Sequence, residues 1–190
     1  MIFSRRALAV VICFDVSHTT TLTYAPAAGR VAFLSAGNFD PSTGISSADT
    51  PCQSEATSAG LPNPTTFLAL LSTSTASAAS RFNMTMGSMP FVRPDGIKIA
   101  DAPTLAAGEA LDSGIWQHAD GTYFSALDPS VWTGSKTPNA TSAETCSDWT
   151  MKSSSVMGIV GFAAETEISW WDYFENLGCT SSRPVFCLEP

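Results

Sequence analysis

Val185-Phe186-Cys187-Leu188-Glu189 brings the chain to within one residue of its end. It is a run of four apolar residues with a cysteine inside it and Pro184 before it. A short apolar run bounded in this way reads as a buried strand. Three further cysteines stand upstream. Cys52 lies in a helix-like stretch near the start of the main body, and Cys146 and Cys179 flank a long, polar, loop-rich segment. Four cysteines allow three connectivities, and sequence alone does not choose among them. A fifth, Cys13, sits in an N-terminal apolar run. It drops out of the framework if that run is removed.

Composition narrows the class. The 190 residues fit one domain plus a leader, and a hydrophobic fraction of 44% is enough for a core. Charged residues are only 14%, roughly a quarter of the chain is Ser or Thr, and the net charge is −8. Such a surface hydrogen-bonds without strong charge. No basic stripe is present, which argues against nucleic acid and heparin-like polyanions as partners. Paired cysteines would place the chain in an oxidising compartment.

Residues 1–28 read as a leader and 29–190 as the domain. Arg5 and Arg6 precede the apolar run Ala7 to Phe14, which has signal-peptide length and is too short to span a bilayer. Ala25-Pro26-Ala27 offers small residues for cleavage. Val11-Ile12-Cys13 is a poor lipoprotein box, and a start codon placed too early is the alternative reading. The localisation expected is secreted or cell-surface, with no transmembrane span.

Within the body, Val31-Ala32-Phe33-Leu34 predicts a first strand. Thr50-Pro51-Cys52-Gln53 reads as an N-cap Thr, a Pro at the first helical position and a Gln closing a capping box. Cys52, Ala56 and Ala59 then share one face, and Gly60 stops the helix. Thr65 to Ser72 is ambiguous, with its length favouring a strand. Ala76 to Phe82 suits one or two helical turns. Arg93-Pro94-Asp95-Gly96 is a turn between Phe91-Val92 and Ile97-Lys98-Ile99. Ala119-Asp120-Gly121 marks a second hairpin between Trp116 and Tyr123-Phe124. Val131-Trp132 begins another strand. The class expected is α+β, with short strands, one main helix and long loops.

Several of these segments, in order and spacing, resemble a known group. They are Ala48-Asp49 before Cys52, Ala59-Gly60-Leu61, Phe67-Leu68-Ala69-Leu70-Leu71-Ser72, and Asp120-Gly121. Val131-Trp132-Thr133-Gly134-Ser135, Cys146-Ser147-Asp148-Trp149-Thr150 and the closing Val185 to Glu189 complete the series. From about Val31 to Glu189 the chain is similar to the endostatin domain and to a family of bacterial secreted proteins of unknown function that shares its C-type-lectin-like fold. The resemblance implies two nested disulfides, Cys52–Cys187 and Cys146–Cys179. It also implies a strand over Phe67–Leu71 and a short helix over Ala76–Arg81. It does not carry a heparin site, since the arginines here are scattered, nor a zinc site, since His18 and His118 have no ligand-like spacing.

Calcium-dependent lectins use Glu-Pro-Asn or Gln-Pro-Asp followed by Trp-Asn-Asp, and neither stands here. Oxygen ligands for calcium would have to come from Asp148, Asp172 or Glu175. No other cofactor and no metal site is expected. The most unusual stretch is Ser169-Trp170-Trp171-Asp172-Tyr173-Phe174, with four aromatics in five residues. Trp170 reads as core, as do Trp132 and Trp149. Trp171, Tyr173 and Phe174 either pack on the body or form the candidate binding surface, with Asp172 and Glu175 supplying polar contacts.

For catalysis the sequence offers His118 as the one histidine of the body, no Gly-x-Ser-x-Gly elbow, and scattered acids such as Asp112, Asp120 and Asp148. The function expected is therefore non-catalytic: an extracytoplasmic recognition or adhesion domain for a glycan or protein ligand. The alternative is a structural cell-surface or matrix component without a small ligand.

Overall fold

β1 (Arg30–Leu34) and β8 (Phe186–Leu188), nearly the two ends of the body, pair with each other, as Ala32 with Leu188, Phe33 with Cys187 and Leu34 with Phe186. The structure is a computed structural model that describes residues 25–125, 130–174 and 176–190. Cys13, His18, Glu175 and residues 1–24 of the expected leader lie outside the described residues.

Among the described residues the architecture is α+β, with two sheets and two disulfides. The larger sheet has the order β2-β8-β1-β3-β4, adding β2 (Leu68–Ala69), β3 (Phe91–Val92) and β4 (Lys98–Ala100). Only the β1–β3 pair is parallel. A second, antiparallel sheet has the order β5-β6-β7, from Ser130–Trp132, Met157–Phe162 and Asn176–Gly178. Side chains alternate across a strand, and here both faces are buried. Ala32 and Leu34 of β1, with Phe186 and Leu188 of β8, enter one hydrophobic cluster that also holds Trp170 and Trp171. Phe33 and Cys187 enter another, with Cys52, Phe67, Trp132 and Trp149. A strand buried on both faces reads as a continuous apolar run, which is the form of Val31–Leu34 and Val185–Leu188.

The helix α1 spans Ile45–Ser58, so it begins five residues earlier than the predicted cap at Thr50. Pro51 lies inside it rather than at its first turn. Tertiary contacts win over the local capping signal. The N–H of Gly44, the residue before the helix, donates to the Trp149 carbonyl (2.6 Å), and Ala48 and Asp49 of the added turns are buried. Of the predicted apolar face, Cys52 and Ala56 are buried and Ala59, at the helix cap, is half-buried, while Ala48 extends the face one turn earlier. Gly60 follows as expected. Its N–H bonds Thr57 and the Leu61 N–H bonds Ala56, the two bonds of a Schellman stop.

Two further expectations change. The strand implied over Phe67–Leu71 is only Leu68–Ala69, although Phe67, Ala69, Leu70 and Leu71 are all fully buried. The helix implied over Ala76–Arg81 is a single 3-10 turn, Ala78–Arg81. Both elements serve one edge. Ala69 turns its backbone away from β8. Its N–H donates to Asp49 Oδ1 (2.8 Å) and its carbonyl accepts from Arg81 Nη1 (2.8 Å). Asp49 and Arg81 are themselves ion-paired at 2.6 Å. The side-chain pair thus satisfies the backbone groups of an edge strand that would otherwise pair with another chain.

The disulfides are Cys52–Cys187 and Cys146–Cys179, the nested pairing that the resemblance implied. The outer one ties α1 to β8 in the cluster under the sheet. Replacing Cys52 and Cys187 together by Ala is expected to cost up to about 5 kcal/mol, by the loop-closure entropy of a cross-link this long. Urea denaturation of the oxidised proteins measures it, and a loss under about 1 kcal/mol would contradict this role. Arg81→Ala leaves the Ala69 carbonyl without its donor and Asp49 Oδ2 without its ion pair, with only the Ala69 N–H still on Oδ1. The expected loss is about 2 kcal/mol, together with concentration-dependent association through the uncovered edge.

Candidate functional site

The segment between Cys146 and Cys179 was expected to be mostly loop. It instead contains β6, the longest strand among the described residues, and much of the second sheet. Gly158 and Gly161 obscure that strand in the sequence, and both are required by close approach. A Cβ at Gly158 would stand 2.7 Å from Trp132 and 2.8 Å from Cys146 Sγ, and one at Gly161 would stand 2.1 Å from the Trp170 carbonyl oxygen. The short helix α2 (Ala102–Ala107), which has Asp101 before it, Pro103 in its first turn and Gly108 after it, was likewise not foreseen.

The segment opens with an uncommon backbone. Cys146, Ser147, Asp148 and Trp149 have φ of 52, 55, 54 and 62°, forming one left-handed helical turn of non-glycine residues. Such a turn costs about 1–2 kcal/mol per residue. It is held by what surrounds it. Trp149 is fully buried, stands edge-on to Trp132 and Phe39, and donates Nε1–H to the Ser72 carbonyl at 2.8 Å. Asp148 accepts from the Ser74 N–H (2.6 Å), the Ser74 hydroxyl (2.7 Å) and the Thr145 hydroxyl (3.1 Å). These bonds, led by that of the Ser74 N–H and opposed by partial burial, hold the Asp148 carboxyl below the usual carboxylate range.

The aromatic stretch that follows β6 divides into two. Trp170 is core, as expected, with its Nε1–H on the Glu109 carbonyl. Trp171 does not belong to the exposed surface proposed for it. It is fully buried, edge-on to Trp170 at 5.4 Å, in the cluster that holds Phe186. The reason is the 3-10 turn Ile168–Trp170, which turns both indoles under the sheet. Asp172 is buried too, and its carboxylate accepts the Phe174 N–H at 3.0 Å.

Tyr173 and Phe174 are exposed. The Tyr173 N–H bonds the Val160 carbonyl of β6, and its ring lies flat on Phe162, with centroids 3.6 Å apart and planes at 17°. Phe174 is 75% exposed and has φ of 62°. The surviving site is therefore a patch of Phe162, Tyr173 and Phe174, hung on an edge of the second sheet and backed by a buried carboxylate.

The three acids that the sequence left scattered stay apart in their bonding. Asp112 pairs with Lys98, Asp120 accepts the Thr122 N–H and hydroxyl, and Asp148 holds Ser74. Of the three residues named for calcium, Asp148 and Asp172 are engaged as above, and Glu175 lies outside the described residues. Among the described residues, no group of three or more His, Cys, Asp or Glu side chains is placed to hold a metal ion, and no helix is long and apolar enough to cross a membrane.

Sequence reasoning also missed a groove between the C-terminal half of α1 and the hairpin at Ala119–Gly121. It consists of two adjoining cavities of about 300 and 420 Å³ that share Ala59, Ala119 and Asp120. His118 lines the first, with Nδ1 2.8 Å from the Leu34 carbonyl. Its neighbours are spread over residues 36–121, so no local motif announces them.

The sequence matches no protein-family model and no curated protein.

The basic residues nearest to forming a patch are each neutralised: Arg81 by Asp49, Arg93 by Asp95, and Lys98 by Asp101 and Asp112. With the net charge of −8, the domain is expected to pass through a heparin column at about 0.15 M salt. Retention there would contradict this reading. For Asp148, a depressed folded pKa means that its stabilising contribution is complete above the unfolded value of about 3.9. It is lost as pH falls through the folded value. Asp148→Asn is expected to cost about 1–2 kcal/mol at pH 7 and to lose less stability than the parent as pH falls below about 4. Parallel acid-unfolding curves for the two proteins would refute it.

Proposed function

We propose that this chain is a secreted or surface-attached recognition domain of the C-type-lectin-like, endostatin-like kind, non-catalytic, which uses the Phe162–Tyr173–Phe174 patch to hold a glycan or a protein surface. The observation that carries the reading is Phe174. Exposed apolar area is unfavourable by roughly 25 cal/mol per Å², and a left-handed conformation at a bulky side chain adds to that cost. The buried Trp170 and Trp171 anchor the chain just before Phe174, and the Asp172 carboxylate holds its N–H. Two flat rings, one stacked and one free, suit a sugar face or an apolar partner residue.

Two disulfides support an oxidising destination, and the nested pairing supports the resemblance in fold. The second reading, a structural component without a small ligand, is favoured by a different observation. The sheet edge at Ala69 is closed by Asp49 and Arg81, and both faces of β1 and β8 are packed. A domain built this way is durable whether or not it binds anything.

The test is a glycan array, run with and without calcium, together with binding to cells, for the parent and for Tyr173→Ala/Phe174→Ala. The expected outcome is binding by the parent and loss of at least about tenfold in affinity in the variant, at an unchanged thermal midpoint. Binding that survives in the variant excludes the patch. A parent that binds nothing favours the structural reading.

A further inference from the structure

The groove beside α1 has a chemistry of its own. In its first cavity the polar side chains are Glu55, Ser58, His118 and Asp120. Glu55 is held rigid, with Oε1 accepting the Gly37 N–H and Oε2 the Ala36 N–H, each at 2.8 Å. A carboxylate has about four lone-pair sites, so acceptor capacity remains. Asp120 uses Oδ1 for Thr122, which leaves Oδ2. Neither carboxylate has a Lys or Arg partner among the described residues.

His118 adds a third acceptor. A carbonyl can only accept, so the Leu34 oxygen fixes the proton of the neutral ring on Nδ1 and leaves Nε2 as a lone pair. The Ser58 hydroxyl spends its proton on the Ser54 carbonyl at 2.9 Å. The side chains of this cavity thus present acceptors and negative charge, and their donors are used. A ligand that satisfies them must bring donors and positive charge. The second cavity continues from the same Ala59, Ala119 and Asp120 along an apolar wall of Leu61 and Pro94, beside Asp95, which is paired with Arg93, and Gln117, whose amide bonds the Asp95 N–H and the Gly121 carbonyl. That wall suits a hydrocarbon stem.

We infer that this groove binds a primary alkylammonium group. The ammonium, with its three donors, sits among Glu55, His118 and Asp120, and the methylene stem lies over Ala59, Leu61, Pro94 and Ala119. An ammonium on such a stem occurs both in free alkylamines and in lysine side chains of a partner. Three acceptors suit the compact ammonium, and the three residues do not form a metal site. The inference is independent of the aromatic patch.

The probes are pentylamine, pentanol and Nα-acetyl-lysine methylamide, titrated into the whole domain at about 20 mM salt and followed by backbone amide shifts. Pentylamine is expected to give saturable shifts at Ala36, Ala59 and Ala119, with pentanol at least about tenfold weaker. Asp120→Asn keeps an acceptor for Thr122 and is expected to weaken pentylamine about tenfold at an unchanged thermal midpoint. Ala59→Leu fills the wall shared by the two cavities and is expected to abolish binding. Tyr173→Ala/Phe174→Ala is expected to leave it intact, which separates this site from the recognition patch. An equal response to the lysine derivative identifies a protein side chain as the source, and a weaker one identifies a free amine. The inference fails if no saturable shift appears, if pentanol binds as well as pentylamine, or if Asp120→Asn leaves the affinity unchanged.

Discussion

The pairing of β1 with β8 is the constraint on which the rest depends. It brings Phe33 opposite Cys187 and so sets which side chains face which core. A slip of one residue would exchange the two faces of each strand. Cys187 would then point away from Cys52, and Phe186 away from Trp170. The outer disulfide and the packing of the indoles are consequences of one register. Because that register joins residues in the thirties to residues in the eighties of the second hundred, little of the core can assemble before the last strand is in place, an arrangement that slows folding.

Around this pair, the two sheets divide the labour. The larger one is almost wholly interior and sealed at its edge by Asp49 and Arg81. The smaller one carries the features that look outward, with Tyr173 on the edge of β6 and Phe174 beyond it. The rings that reach solvent adjoin indoles that do not. Recognition by rigid aromatics needs such support, because a freely rotating ring would lose conformational entropy on contact. The alkylammonium groove has another kind of rigidity. Glu55 is clamped by two successive amides and His118 by a carbonyl, so both are oriented before any ligand arrives.

Much of this was legible in the sequence, for physical reasons that differ from place to place. Strands buried on both faces, such as Val31–Leu34 and Pro184–Leu188, announce themselves as unbroken apolar runs. The turn at Arg93–Gly96 rests on local chemistry and stands as read. The start of α1 does not, because its added turns are stabilised by Trp149 and by the backbone of β2, both remote in sequence. β6 was hidden because the glycines that let Trp132, Cys146 and Trp170 press against it also erase the period-two signal. In the candidate site, density of aromatics located the right segment but not the direction of each ring. Trp171 and Tyr173 are two residues apart, and only the 3-10 turn before them decides which goes under the sheet. The groove had no signature because its chemistry comes from a helix, a strand end and a hairpin that meet only when folded.

The left-handed turn at Cys146–Trp149 has a consequence for oxidation. Four consecutive L-residues in that conformation are scarcely populated in an unfolded chain. Before the core forms, Cys146 therefore approaches Cys179 along an ordinary backbone, with Trp149 unseated. A sulfur–sulfur bond closed at that stage would cross-link the correct residues around an incorrect turn. The turn acquires its hand only when Trp149 enters the pocket beside Trp132 and finds the Ser72 carbonyl. The hand of the turn thus rests on the seating of an indole, and the Cys146–Cys179 bond alone does not set it.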